Sequence, residues 1–189
     1  MNTRAILLTC TLLFLAAPST GWSDPPPAPL AQSGQTTQYQ SGDDGHLEKG
    51  VAWPTPRFTE SGNGTVIDQL TGLVWMKNAN CWGRQSWSGS LESMVALNNG
   101  TQNCSGYSGT HTDWRLPNID ELQSLIDYSR SSSLPAGHPF TGVQYSNYWS
   151  STSYAGNPNN AWNLSFSNGY VGTGTKTNTF YPWPVRGGQ

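Results

Sequence analysis

Trp162-Asn163-Leu164-Ser165-Phe166 alternates apolar with polar residues without a break, which is the period of a strand with one face buried. That register predicts Trp162, Leu164 and Phe166 facing inward, with Asn163 and Ser165 facing out. Ser167-Asn168-Gly169 then turns the chain, and Tyr170 onward returns it as a Thr-rich strand. Upstream, Phe58 to Trp75 reads as two strands about Asn63-Gly64, a strong short-range hairpin signal. A second turn at Leu70-Thr71-Gly72 leads into Leu73-Val74-Trp75. Gln35 to Tyr39 is a further candidate strand, followed by the turn-rich Ser41-Gly42-Asp43-Asp44-Gly45.

Between Ser86 and Asn99 the period changes. Trp87, Leu91, Met94 and Val95 recur at helical spacing, and Gly100 stands where a left-handed cap would end the run. Gly89 in the first turn is the one residue that weakens this helix. A second helix opens at Asn118, an N-cap residue with Glu121 three positions on, the spacing of a capping box. Pro117 and Leu122 are placed for a hydrophobic staple, and Ile119, Leu122, Leu125 and Ile126 form the apolar stripe. Asp120 lies in the first turn, where the helix dipole favours an anion. Both neighbouring carboxylates, Asp120 and Glu121, therefore have a structural reason to be there, and the structural reading outweighs a catalytic pair. A pair of helices followed by short antiparallel strands makes the fold class α+β.

The first 23 residues have the form of a secretory signal peptide: Arg4, then an apolar run from Ala5 to Ala17, then small residues up to Ser23. Residues 24–32, DPPPAPLAQ, read as an extended, mobile Pro-rich leader, and residues 33–189 as one domain. The expected destination is the periplasm, the cell surface or the medium. No later stretch is long and apolar enough for a membrane helix, so no membrane insertion is expected. The chain carries 9 Lys and Arg against 11 Asp and Glu, too little basic charge for a nucleic-acid or anionic-membrane footprint. Nine Trp and five Phe supply enough apolar surface for a core.

With Cys10 removed, Cys81 and Cys104 are the cysteines that remain, and export to an oxidising compartment predicts one disulfide between them. A zinc site would want paired thiols or histidines that the spacing does not offer. His46, His111 and His138 are scattered through polar, Gly-rich sequence and read as solvated loop residues. Adjacent Asp43 and Asp44 could offer oxygens to calcium, but without the spaced acids of a calcium loop the turn reading is favoured, and no cofactor is expected.

The succession RFTESGNGTVIDQLTGLVW, a Trp-led helix, DWRLPNIDELQSLID, YWSSTSY, AWNLSFSNG and a terminal PVRGG resembles the Lcl C-terminal domain family. GQTTQYQSGDDGHLEKGVAWPTPRF is similar to the lead-in of many members, so the resemblance runs from Ser33 to Gln189. It implies a C-type lectin-like fold, two helices on small twisted antiparallel sheets with long loops carrying the ligand site. It also implies an exported bacterial protein, in which the Asn-X-Ser/Thr sites at Asn63, Asn99, Asn103 and Asn163 would be unmodified. The family's namesake is an adhesin that binds glycosaminoglycans and trimerises beside a collagen-like region. This chain has neither the collagen repeat nor the basic charge, so a neutral glycan or a protein surface is the expected partner, and a monomer or small homo-oligomer the expected state. Arg115-Leu116-Pro117 resembles a segment of the formylglycine-generating enzymes, but their chemistry needs a late thiol pair and no cysteine follows Cys104. Trp162-Asn163-Leu164 lacks the acidic ligand of the calcium lectins' Trp-Asn-Asp strand.

The expectation is a secreted, non-catalytic binding module, with a docking module of an envelope assembly as the alternative and a formylglycine-generating relative a more distant one. Tyr with Asn and Ser gives rigid contact area and adaptable hydrogen bonding. Tyr145, Tyr148, Tyr154, Asn157, Asn159 and Asn160 occupy the expected loop, and Asn163, Ser165, Tyr170 and Lys176 the neighbouring sheet face.

Overall fold

Asn63-Gly64 closes a hairpin between β1 (Phe58–Glu60) and β2 (Thr65–Asp68), with Phe58 opposite Asp68 and Glu60 opposite Val66. Gly64 is needed twice over: its φ is +84°, and a Cβ there would lie 2.1 Å from the Gly106 carbonyl oxygen. β3 (Val74–Met76) follows the Leu70-Thr71-Gly72 turn, and β7 (Val185–Arg186) completes a four-stranded antiparallel sheet in the order β1-β2-β3-β7. β4 (Asn147–Ser153), β5 (Asn160–Ser165) and β6 (Val171–Thr175) form a second antiparallel sheet with β5 central. This computed structural model describes residues 30–130 and 133–187, so the expected signal peptide and residues 24–29 of the leader lie outside the described residues.

The C-terminal segment joins the two sheets. Tyr181 exchanges backbone hydrogen bonds with Asn147 and Trp149 along the outer edge of β4, and Pro184 accepts from Met76 N–H in β3. Phe180 pairs with Gln85 and Val185 with Arg115 on the way. Around this seam lies the main core, where Trp183 meets Trp75, Phe140, Phe166 and Tyr148 with ring centroids 4.9–5.6 Å apart. A smaller cluster of Met94, Leu116, Trp149 and Ala161 lies against Phe180 and Trp87.

Helix α2 (Trp87–Asn98) has Ser86 as N-cap, and Gly100 follows it at φ +75°. Its inner face is more polar than its spacing implied. Ser90 and Ser93 are buried with Met94 and Leu97, each hydroxyl bonded within the helix or to Gln85, while Val95 is exposed. Helix α3 (Ile119–Ser124) is shorter than its stripe, yet Leu122, Leu125 and Ile126 all reach the main core. Cys81 and Cys104 form the expected disulfide. The molecule is thus α+β, with short helices against two small antiparallel sheets.

Three expectations are corrected. Gln35 to Tyr39 is not a strand, because the Asp43 carboxylate takes the Tyr39 and Gln40 amides as it caps a one-turn helix, α1 (Asp44–Leu47). The last leader residues are held in place, since Leu30 and Gln32 exchange backbone hydrogen bonds with Val51. Asn163 and Ser165 do not face solvent; they are 2% and 8% exposed. After β6 the chain crosses beneath this sheet, laying Phe180 4.4 Å from Trp149, which pairs with Asn163. Both faces of β5 are therefore covered, and alternation no longer separates inside from outside.

Candidate functional site

The expected site residues separate into three groups. Tyr148, Asn163 and Ser165 belong to the interior. Tyr148 is fully buried, its hydroxyl accepts from Gln144 N–H, and burial drives its pKa well above the usual phenol value. Asn163 Oδ1 accepts from Asn147 Nδ2 at 2.7 Å, and Ser165 shares a 2.7 Å hydrogen bond with Ser167. Of these bonds the Asn147–Asn163 one joins β4 to β5, and all three residues are buried.

Tyr154, Asn157, Asn159, Asn160 and Lys176 gather where β4 ends and β5 begins. The loop is built on itself: Asn157 N–H donates to the Tyr154 carbonyl, Asn160 N–H to the Asn157 carbonyl, and Asn157 Oδ1 accepts from Asn159 N–H. Tyr154 stands edge-on to Trp162, centroids 5.5 Å apart, and its ring occupies the space a side chain at Gly156 would need. Lys176 is tied to the same end by Asn159 O, which accepts its backbone N–H. Its ammonium lies 4.0 Å from the centroid of the Trp87 ring and donates to Ser153 Oγ at 2.7 Å. Trp87 Nε1 donates to Ser150 O, which fixes that indole. Three half-buried aromatic rings, one cation and the unpaired amide groups of Asn159 and Asn160 thus share one end of the sheet. Trp87 and Trp162 had been read only as core residues. The sign that they reach the surface is their position at the first turn of a helix and near the start of a strand, where coverage ends.

Tyr145 and Tyr170 stand at the opposite end, 73% and 66% exposed, beside the Ser167-Asn168-Gly169 turn. Next to Tyr145 is a cleft of about 190 Å³ between Phe166 and residues 130, 133–138 and 143. His138, read as a solvated loop residue, is half-buried in its wall, and burial, aided by the Arg130 charge, holds its pKa below the usual imidazole value. No periodic or motif signal marks this cleft, because its wall is mostly irregular loop closed by Phe166 from the sheet.

The carboxylates that open α3 serve the helix. Glu121 accepts from Asn118 N–H at 2.8 Å while Asn118 Oδ1 accepts from Glu121 N–H at 2.8 Å, completing the capping box. Glu121 also receives a two-pronged contact from Arg115, at 2.6 and 2.5 Å. Asp43, the possible calcium ligand, spends its carboxylate on the backbone N–H groups of Tyr39, Gln40 and His46, which lower its pKa.

Short helices on two small sheets, with polar aromatic loops displayed at the ends of one of them, define an α+β domain that presents its chemistry on loops. The chain belongs to the Lcl C-terminal domain family, whose model matches residues 64–186. The comparison with curated proteins gives no match.

Proposed function

We propose that the protein is an exported, non-catalytic module that recognises a neutral glycan or a protein surface through the Tyr154–Lys176 end of the three-stranded sheet. The observation that supports this most is that two aromatic contacts, Tyr154 on Trp162 and Lys176 over Trp87, lie with free asparagine amides near the self-bonded 154–160 loop. Aromatic rings offer apolar faces to a sugar ring or an aliphatic side chain, and amides fix orientation by hydrogen bonding. The chain's slight acidity disfavours a heparin-like polyanion. The mature chain should be tested on glycan and protein arrays, and the hit remeasured with Tyr154→Ala, Asn159→Ala and Lys176→Ala combined. At least a tenfold loss of affinity with an unchanged melting curve is expected. Unaltered affinity would put the ligand elsewhere.

A second reading, docking to an envelope assembly, draws on Leu30, Tyr39, Leu47 and Val51, large apolar residues that are each exposed in the lead-in. It predicts that polar substitution of these residues, and not of the Tyr154 loop, abolishes retention at the cell envelope.

A further inference from the structure

The sheet edges are guarded unequally. The outer edge of β4 is covered by Tyr181, and Val185 in β7 exchanges backbone hydrogen bonds with Arg115. β1 is three residues long and follows Pro54 and Pro56. β6 has no such device. Ser165 N–H donates to Tyr170 O before it, and Lys176 N–H donates to Asn159 O after it. Strand alternation between those two points turns Gly172 and Gly174 towards β5, and Val171, Thr173 and Thr175 outward. The N–H groups of these three residues, and the Val171 and Thr173 carbonyls, have no hydrogen-bond partner among the described residues. Thr173 and Thr175 are exposed, so solvent reaches this edge. Proteins ordinarily block such an edge with Lys, Pro or a bulge, because it can pair with another strand. Residues 171–175 contain neither Lys nor Pro, and their pairing with β5 runs without a bulge.

We propose that β6 pairs antiparallel with β6 of a second copy of this chain, about a two-fold axis at Thr173, so that two three-stranded sheets become one. Thr173 then faces Thr173, and Val171 faces Thr175 on either side, each pair exchanging N–H to carbonyl bonds. The Thr175 carbonyl, which accepts from Asn178 N–H, keeps a second lone pair for this. Self-complementarity favours a copy of the chain over a foreign strand. Residues 171–175 carry no charge, so the pairing opposes no like charges. One position further out, the exposed Tyr170 of each copy stands opposite Lys176 of the other, an aromatic ring against a cation. Antiparallel pairing sets the two Tyr154 loops at opposite ends of the joined sheet, and the pairing stands or falls separately from binding at those loops.

The test is sedimentation equilibrium of the mature chain across a wide concentration range, where a monomer–dimer equilibrium is expected. The Val171, Thr173 and Thr175 amides should exchange with solvent more slowly as the dimer forms. Thr173→Lys and Thr173→Glu each set like charges face to face from an exposed position. Each should weaken the dimer at least tenfold without changing the near-ultraviolet circular dichroism. An equimolar mixture of the two should recover the dimer, which requires an interface that sets residue 173 against itself. Val95→Lys, a charge at an exposed position of α2, should leave the dimer unchanged. A monomer at every concentration, a trimer, or a dimer that Thr173→Lys leaves intact would overturn the proposal. So would a monomer whose β6 amides are protected only by an added extended peptide, which would give the edge to a foreign strand.

Discussion

Asn118 and Glu121 were legible as a pair because a capping box is set by three residues of local sequence and needs nothing from the rest of the chain. Asn118→Ala should cost about 0.5–2 kcal/mol of stability, read from urea denaturation. Glu121→Gln keeps an acceptor for the cap but loses the ionic half of the contact with Arg115. The Arg115 side chain is 40% exposed, so that loss should stay within about 1 kcal/mol. Asn163 shows the opposite case. Its alternation with Trp162 and Leu164 is real, but its burial comes from Phe180 and the returning chain, seventeen residues away and invisible to a period of two. His138 was equally illegible, since its desolvation comes from tertiary contacts. Its pKa is lowered in the folded state, so the unfolded chain binds the proton more readily. The His138 contribution to stability should fall as pH drops through the ordinary imidazole value of 6.5 towards the lower folded one. In an NMR pH titration Arg130→Gln should raise the His138 midpoint, because it removes the like charge beside the ring, while the larger effect of burial remains.

At the scale of elements, turn or cap chemistry announced the starts at Asn63-Gly64, Ser86 and Asn118, whereas the Asp43 cap of α1 reads in sequence only as a turn. Gln35 to Tyr39 has neither the alternation of a strand nor a ladder partner, and Asp43 takes the Tyr39 and Gln40 amides. The elements are fastened by two devices, of which the sequence revealed one. The Cys81–Cys104 disulfide was readable by counting cysteines. With a sequence separation of 23, replacing both by Ser should cost about 3 kcal/mol. The other device is Arg57, sandwiched between Trp53 and Phe58 at 4.4 and 4.8 Å from their ring centroids. It binds Asp68 through two nitrogens, at 3.1 and 2.9 Å, and the Ser124 carbonyl at 2.6 Å. One guanidinium thereby ties the lead-in, the β1–β2 hairpin and the end of α3 together. Both charges are buried, so Asp68→Ala, which strands the cation, should lose about 3–5 kcal/mol in urea denaturation.

Across the whole molecule the three-stranded sheet works as a frame with two displayed ends, and sequence proximity gave a misleading picture of which residues share an end. Tyr145 and Tyr154 are close in sequence, but β4 runs between them and carries them to opposite ends. The family match raises a related question about where the folding unit begins, since it starts at Gly64, inside the β1–β2 turn. A chain beginning there lacks β1, leaves Asp68 without Arg57, and exposes the core where Phe58 meets Phe140 at 5.0 Å. It also loses Ser33, whose carbonyl accepts from Tyr128 N–H, and the backbone at Gly34, which lies against Trp53 and Asp127 closely enough that a Cβ would stand 2.8 and 2.6 Å from them. An uncompensated buried carboxylate and an opened aromatic core cost more than the 5–15 kcal/mol stability of an ordinary domain can comfortably absorb. A chain beginning at Leu30 keeps every one of these contacts. It should therefore melt in a single cooperative transition with strong near-ultraviolet circular dichroism from Trp75, Trp149 and Trp183, which are fully buried. A chain beginning at Gly64 should lose that signal and bind a hydrophobic dye, the behaviour of a compact state without fixed packing. If both chains melted alike, the lead-in would be an appendage, and the tie through Arg57 would have to be judged dispensable.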